Sequence, residues 1–252
     1  MSHVDNMRQQ RRRGFTLVEL LLAMTFISAL LLAIALTIVQ IANIYNRGVV
    51  LKEVNQTSRA IGDELDSALR GSSTFSLDTT ANRYVNNTWG GRMCLGQYSY
   101  IWNYGSALAS VNANRNQYSG PNTAGNSVKD SNGTIRYEIS FVKVPDGGGT
   151  YCVKDVNGKY PLVDPTNAVE LLRTGDHSLV LHSFSVVSNS TSKDALSAQQ
   201  LYKITYTLGT NNLAAIKSDL SGCRPPSDPA SDLNYCAVEQ FTLVLRVVSG
   251  VN

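Results

Sequence analysis

The chain has 252 residues, of which 43% are hydrophobic and 16% are charged, and this composition excludes an intrinsically disordered protein. The formal net charge is +3, and the first 14 residues account for all of it because they contain four Arg and one Asp. The rest of the chain has a net charge of zero and lacks the excess of basic residues that nucleic-acid binding requires. We therefore expect no nucleic-acid partner.

An uncharged apolar run follows the basic start of the chain. It extends from Leu20 to Val39, and as a helix these 20 residues measure about 30 Å, the thickness of the hydrocarbon core of a bilayer. No small-residue cleavage site follows the run, so we expect it to be retained as a single span of the inner, or cytoplasmic, membrane. Three arginines before the run, Arg11, Arg12 and Arg13, place the N-terminus in the cytoplasm and the residues beyond about 45 outside it.

Glu19 is the only charged residue between Arg13 and Arg47. A carboxylate inside lipid costs about 2.5–3.5 kcal/mol on insertion scales, so one explanation is a functional role with a cationic partner. The other explanation is a side chain at the membrane edge whose carboxylate stays in water. The preceding peptide bond favours the first, because a cut between Gly14 and Phe15 would create an α-ammonium one helical turn from Glu19.

The stretch Gly14-Phe15-Thr16-Leu17-Val18-Glu19, with the apolar run behind it, resembles the class III leader and mature start of type IV pilins and the related pseudopilins. The resemblance implies that a prepilin peptidase cuts after Gly14 and N-methylates Phe15. It also implies that Glu19 pairs with the N-terminus of a neighbouring subunit during assembly, and that Arg11, Arg12 and Arg13 form the basic run of the leader. The implied partners are other pilin or pseudopilin subunits, the peptidase and a membrane assembly platform, and the implied final location is an extracellular filament or the cell surface.

Beyond the apolar run the helical pattern continues in amphipathic form. With Gly71 as the stop, the pattern predicts one helix of about 55 residues from Thr16 to Arg70, about 80 Å long. No proline precedes Pro121, whereas many major pilins carry one in this helix, so we expect a straighter helix, which favours a minor pilin or pseudopilin. An apolar stripe recurs at three- or four-residue steps with one gap, and we expect it to pack on the chain's own β domain rather than on a coiled-coil partner. It consists of Leu51, Val54, Ile61, Leu65 and Leu69.

The residues after Arg70 show β-type alternation. Alternating apolar residues over 135–141, a turn at 145–149 and apolar residues at Tyr151 and Val153 predict a hairpin. Further strands are predicted at 178–187, 201–208 and 238–248, and we expect the last to be central in its sheet. The fold class is α+β, with a long N-terminal helix, transmembrane and then amphipathic, packed on an antiparallel β-sheet head, as in pilins. The segments are a basic leader (1–14), a transmembrane and filament-core helix (15–45), its amphipathic continuation (46–70) and an extracytoplasmic β-rich head (71–252).

Four cysteines lie beyond residue 90, outside the membrane in this topology, where disulfides persist. Three pairings are open. We favour Cys223 with Cys236 because they bracket a proline-rich stretch, and closing a loop of that size stabilises the fold by about 3 kcal/mol. Cys94 with Cys152 follows by elimination. A zinc site is disfavoured because no C-x-x-C occurs. By resemblance, the Cys223–Cys236 loop is similar to the disulfide-bounded region near the C-terminus of many pilins, which contacts neighbours or targets.

The sequence contains no motif for nucleophilic catalysis, zinc-dependent hydrolysis or phosphate binding, so we expect no enzymatic activity, no metal and no cofactor. His177 and His182 are expected to pack at the surface or half-buried. A group of aromatic residues among Asn, Gly and Ser is typical of binding surfaces and suggests adhesion to a surface or cell target, although core packing is the alternative. The group consists of Trp89, Tyr98, Tyr100, Trp102 and Tyr104.

The function expected from these features is a structural subunit, a minor pilin or pseudopilin, of a type IV pilus or type II secretion-like filament. The alternative is an unprocessed single-pass membrane-anchored receptor or adhesin with a β-rich ectodomain. Substitution of Glu19 by Ala separates the two, because an anchored receptor does not need this carboxylate and a filament subunit does.

Overall fold

The computed structural model describes residues 15–72, 77, 83–88, 90–108, 128–129, 135–136, 140–158, 160–163, 166–172, 178–188, 199–232 and 234–248. The chain divides into two compact units, residues 1–45 and residues 46–252. One helix of 54 residues, α1 (Leu17–Arg70), contributes to both units, which confirms the helix predicted from Thr16 to Arg70 to within one residue. It stops where Gly71 and Ser72 follow, and the Ser72 hydroxyl donates to the carbonyl of Leu69 at 2.9 Å.

In the first unit, α1 is apolar on all sides. The hydroxyls of Thr25, Ser28 and Thr37 donate to carbonyl oxygens of the helix itself at 2.8–2.9 Å. Lipid offers no hydrogen-bond partners, so a spanning helix has to satisfy its polar groups internally, as these three residues do. By length and composition, α1 is a candidate for a single membrane span near the N-terminus.

In the second unit, residues 46–70 of α1 pack on β-sheet. The predicted stripe is buried except for Leu51, which is half-buried, and Val50 is buried in its place. The gap in the stripe has a structural cause, because Ser58 faces the Tyr206 hydroxyl at this position. One turn later, a Cβ atom on Gly62 would lie 3.4 Å from the side chain of Leu243, which is van der Waals contact with the sheet.

The β-rich part contains ten described strands and one short helix. The strands are β1 (Tyr84–Asn86), β2 (Gly90–Cys94), β3 (Tyr98–Asn103), β4 (Val128–Lys129), β5 (Ile135–Arg136), β6 (Phe141–Pro145), β7 (Val169–Glu170), β8 (Leu179–Ser188), β9 (Gln199–Thr210) and β10 (Val238–Val248), and the helix is α2 (Gly105–Leu108). All pairings are antiparallel and give a sheet in the order β1-β2-β3-β6-β7, a sheet in the order β10-β9-β8 and the pair β4-β5. The long N-terminal helix with antiparallel sheets confirms the α+β class.

The three strands predicted near the C-terminus correspond to β8, β9 and β10. The expectation that β10 is central is wrong, because β9 pairs with both β8 and β10. Strand β9 is the most deeply buried of the three, since residues 206–210 are all buried, whereas alternate residues of β10 are exposed. Apolar content therefore did not distinguish the central strand from its neighbour.

The predicted hairpin around residues 145–149 is also wrong. Strand β6 pairs with β3 and β7, and Thr150–Cys152 forms a 3-10 turn instead of a returning strand. The Asp146 carboxylate holds this turn by accepting bonds from the amides of Thr150 and Tyr151 at 2.9 and 3.1 Å. The Ser99 hydroxyl also donates to Asp146, and this link from a distant strand cannot be seen in the local pattern.

The core of the second unit lies between α1 and the two larger sheets. Among the described residues its largest buried side chain is that of Trp102, whose ring centroid is 4.4 Å from that of Phe184 and 6.1 Å from that of Phe141. A bridge between Tyr104 and Leu181 joins the end of β3 to β8, so the two sheets share one apolar interior.

Candidate functional site

The helix starts at a hydrogen-bonded pair, Thr16 and Glu19. The amide of Thr16 donates to Glu19 Oε2 at 3.0 Å, and the Thr16 hydroxyl donates to the same oxygen at 2.9 Å. In return, Thr16 Oγ1 accepts the amide of Glu19 at 3.2 Å. This is a capping box, in which the side chains at the first and fourth positions satisfy amides that the helix leaves without partners.

The capping box gives Glu19 a local role that the sequence interpretation missed, although the spacing Thr-x-x-Glu before an apolar run was the signal for it. Both bonds from Thr16 go to Oε2. Among the described residues, Oε1 of Glu19 has no hydrogen-bond partner, and the side chain is exposed. One oxygen therefore fixes the start of the helix, while the other makes no hydrogen bond to the described residues.

The residues around the predicted cleavage site are only partly described. Phe15 lies just before the cap with 81% of its surface exposed. Gly14, Arg11, Arg12 and Arg13 lie outside the described residues. Phe15, the predicted new N-terminus, therefore lies directly before the capping residue Thr16.

The apolar surface of α1 in the first unit is uncovered. Every side chain from Phe15 to Ala42 is exposed, and Glu19 is the only charged one among them. An apolar surface of this length is not stable in water, because soluble monomers rarely expose contiguous patches of more than a few hundred Å². Residues 17–45 need either lipid or the apolar surface of another protein.

The four cysteines form two disulfides, in the pairing favoured from the sequence. Cys94 bonds Cys152 and ties β2 to the 3-10 turn that follows β6. Cys223 bonds Cys236 and closes residues 223–236 within the connection from β9 to β10, residues 211–237, which we call the disulfide loop. This disulfide loop has a small core of its own, formed by Ala215, Ile216 and Cys236 with Leu220, Cys223 and Val238 against them.

Three of the five candidate adhesive aromatics are buried, which contradicts a surface role for them. Tyr100 and Trp102 are fully buried and Tyr104 is 7% exposed, because β3 packs both of its faces inside the head. Tyr98 is 38% exposed, and the Lys143 ammonium lies 4.1 Å from the centroid of its ring. Trp89 lies outside the described residues. Of this group, the described part of the chain leaves only Tyr98 for surface contact.

Below Tyr98, a charged pair joins α1 to the five-stranded sheet. Lys143 Nζ lies 2.6 Å from Glu64 Oε1, and the Tyr100 hydroxyl donates to the same oxygen at 2.6 Å. Burial raises the pKa of Glu64, but the bonds from Lys143 and Tyr100 outweigh it, and the net pKa is below its usual value. The carboxylate stays charged and holds the helix against the sheet.

Two further polar side chains are buried for structural reasons. His182 packs between the backbones of Gly105 and Gly209, and its Nε2 lies 3.2 Å from the carbonyl oxygen of Thr210. It is more buried than expected, and burial lowers its pKa. Arg92 is fully buried and donates to the carbonyls of Tyr151 and Pro161 at 2.7 and 2.9 Å, and desolvation lowers its pKa to about 9. His177 lies outside the described residues.

The described residues contain no group of three or more His, Cys, Asp or Glu side chains with the geometry of a metal site. The residues with the strongest functional implications are therefore Phe15, Thr16 and Glu19 together with the apolar surface behind them. No protein-family model, curated protein or solved structure matches this chain.

Proposed function

We propose that the chain is a structural subunit, a minor pilin or pseudopilin, of a type IV pilus or type II secretion-like filament. The observation that carries this proposal is a helix that begins two residues after Phe15, is apolar on all sides to residue 42 and has a single carboxylate in its first turn. A simple membrane anchor needs the apolar surface, but it does not need a carboxylate that costs free energy in lipid.

The topology of the proposed precursor follows from its charges and cysteines. The three arginines before the apolar run stay in the cytoplasm, and the helix of residues 15–45 spans the inner membrane. The head then lies outside the cytoplasm, where the disulfides Cys94–Cys152 and Cys223–Cys236 are stable against reduction. After assembly the subunit is part of a filament at or beyond the cell surface.

Removal of the leader after Gly14 by a prepilin peptidase creates the chemistry of the assembly site. Phe15, which the same enzyme N-methylates, then carries an α-ammonium next to the capping residue Thr16. Glu19 Oε2 accepts the two hydrogen bonds from Thr16, and Oε1 accepts a hydrogen bond from the α-ammonium of a neighbouring subunit. A buried carboxylate is stable beside an opposite charge, and loss of either partner leaves the other uncompensated.

Assembly transfers the apolar helix from lipid to the helices of neighbouring subunits. The exposed side chains from Phe15 to Ala42 provide the packing surface, and a membrane assembly platform moves the subunit out of the bilayer. The hydroxyls of Thr25, Ser28 and Thr37 already have partners inside the helix, so neither environment leaves them unpaired.

The proposal is tested by mass spectrometry of the full chain extracted from membranes of its own host. The expected mass corresponds to a chain that starts at N-methylated Phe15, and a chain that still begins before Gly14 contradicts the proposal. In the same cells, Glu19→Ala should leave the protein cleaved and membrane-bound but remove it from sheared filaments. Glu53→Ala, which changes a carboxylate of α1 outside the span, is the matched control. Equal recovery of Glu19→Ala and the control in the filament fraction favours an anchored receptor or adhesin.

A further inference from the structure

A polar cleft lies between the end of α1 and the β2-β3 hairpin. The last two turns of α1 contribute Glu64 and Ser67, the hairpin contributes Gln97 and Tyr98, and β6 contributes Lys143. We call these five residues the Tyr98 cleft. Its volume is about 190 Å³, whereas pockets for drug-sized ligands measure about 300–1,000 Å³. The cleft therefore has room for one small unit of a larger ligand.

The two charged side chains of the Tyr98 cleft are paired with each other. Lys143 Nζ lies 2.6 Å from Glu64 Oε1, and the Tyr100 hydroxyl donates to the same oxygen at 2.6 Å. The pKa of Glu64 is below its usual value, so the carboxylate stays charged and the pair has no net charge. Such a pair attracts neither an anion nor a cation strongly, which favours a neutral ligand.

The cleft also contains hydrogen-bonding side chains that the fold does not use. Ser67 and Gln97 are exposed, and their side chains make no hydrogen bond within the part of the chain that the structure describes. The hydroxyl of a serine both donates and accepts, and the side-chain amide of a glutamine does so through separate atoms. These groups match a ligand with several hydroxyls, because each ligand hydroxyl also donates and accepts.

The ring of Tyr98 supplies apolar surface in the cleft. It is 38% exposed, and the Lys143 ammonium lies 4.1 Å from the ring centroid, within the range of a cation–π contact. A partly exposed aromatic ring offers contact area at a low entropic cost, since its side chain has few rotatable bonds. A saccharide fits both features, because its hydroxyls surround a ring whose C–H groups form an apolar face.

The β2-β3 hairpin is held in place before any ligand binds. The Leu95 amide donates to the Tyr98 carbonyl at 2.9 Å and closes the turn. Gly96 in this turn has a φ of 103°, a conformation that favours glycine. The Asp146 amide donates to the Gln97 carbonyl at 2.8 Å and ties the turn to the end of β6. A preorganised site of this kind loses little conformational entropy on binding.

We infer that the Tyr98 cleft binds one neutral sugar unit of a glycan. The C–H face of the sugar packs on the Tyr98 ring, and its hydroxyls bond the side chains of Ser67 and Gln97. Ser67 lies about 30 Å along α1 from Asn46, where the second unit begins, so the cleft is at the end of the helix farthest from the proposed span. The inference goes beyond the proposed function, because a filament subunit and an anchored adhesin both present the head outside the cytoplasm.

Saturation-transfer difference NMR of the full chain, in a zwitterionic detergent without a sugar headgroup, tests the inference. The probes are the methyl glycosides of glucose, galactose, mannose and N-acetylglucosamine. At least one should bind, with a Kd of about 1 mM because a single small unit makes few contacts. The uronate and the amino derivative of the same sugar should bind more weakly. Binding of none of the four glycosides, or tighter binding of a charged derivative, overturns the inference.

Substitutions test whether the sugar binds in this cleft. Tyr98→Ser removes the ring and should weaken binding of the glycoside about tenfold, whereas Tyr98→Phe keeps the ring and should bind like the native chain. Tyr235→Ser, which removes a 49% exposed ring from the disulfide loop, is the matched control. If Tyr98→Ser does not form both disulfides, Gln97→Ala replaces it, with a smaller loss expected. Native affinity in the folded cleft variant overturns the inference.

The N-terminal mass of the same chain, extracted from membranes of its host, separates this inference from the proposed function. A chain that starts at Phe15 but binds no glycoside contradicts the sugar site and leaves the proposed function standing. A chain that keeps its leader but binds a glycoside through Tyr98 contradicts the proposed function and supports the sugar site in an anchored adhesin.

Discussion

The Tyr206 hydroxyl lies 2.9 Å from the carbonyl oxygen of Ser58 and 3.0 Å from its Oγ. All of these atoms are buried, and they join the middle of α1 to the central strand β9. Burial raises the pKa of Tyr206, so the phenol remains protonated and keeps donating. This contact replaces apolar packing at the single gap in the helix stripe.

Tyr206→Phe should therefore lower the free energy of unfolding by about 1–2 kcal/mol, because the buried hydroxyl of Ser58 loses its partner. Chemical unfolding of the full chain in detergent, followed by near-ultraviolet circular dichroism, measures the change. Tyr98→Phe removes a hydroxyl from a partly exposed ring and is the matched control, for which we expect a change within about 0.5 kcal/mol. Equal effects of the two substitutions would argue against a structural role for the Ser58 contact.

Thr16→Val should fray the first turn of α1, since it removes the hydroxyl that both donates to and accepts from Glu19. A lost cap costs about 1 kcal/mol, which corresponds to about fivefold faster amide hydrogen exchange at Glu19. Thr25→Val is the control because the hydroxyl of Thr25 binds only a carbonyl of its own helix. Thr16→Ser should retain slow exchange. Unchanged exchange in Thr16→Val would mean that the capping box does not fix the helix start.

Asp146→Asn should destabilise the head by about 1–3 kcal/mol near neutral pH, since it weakens the acceptor for the 3-10 turn. Burial raises the pKa of Asp146, but bonds from Ser99, Thr150 and Tyr151 outweigh it and hold the pKa below 3.8. Stability from a carboxylate with a depressed pKa is present above its unfolded value and is lost as the pH falls through the folded value. The difference between the native chain and Asp146→Asn should therefore begin to shrink as the pH falls below about 4 and should disappear only below the lowered pKa of the folded carboxyl, in unfolding measurements. A difference that persists there would assign the effect to packing rather than charge.

Because of His182, the protein should become less stable as the pH falls from neutral to mildly acid values. Its buried ring has a pKa lowered from 6.5, so the unfolded chain binds a proton that the folded chain does not, and stability falls as the pH drops below about 6.5. His182→Gln keeps a donor for the Thr210 carbonyl and should remove this dependence. Melting temperatures of both proteins at about pH 7.5 and about pH 5 measure it. The same acid-induced decrease in the variant would assign the effect to other groups.

Local patterns predicted the elements that depend on local residues. The apolar run and the stripe gave α1 to within one residue, and alternation gave β8, β9 and β10. The spacing of Thr16 and Glu19 also indicates the capping box, but a carboxylate beside an apolar run suggested an ion pair with a partner subunit instead of a helix cap.

Other features depend on residues far apart in the chain. The turn at Thr150–Cys152 is held through Ser99 and Cys94, which lie on other strands, so an alternating pattern with a glycine-rich turn resembled a hairpin. The aromatic residues of β3 resembled a binding surface by composition alone. Their burial is decided by the aromatic side chains of β6 and β8 that pack against Trp102.

The disulfide Cys94–Cys152 has a consequence for proteolysis. Its two cysteines are 58 positions apart in the sequence, and both of them are anchored in the buried part of the head. A protease that nicks the backbone once between these cysteines leaves two fragments joined covalently. The nicked molecule should migrate as one band on a non-reducing gel and as two after reduction, so a cut there does not release any part of the head.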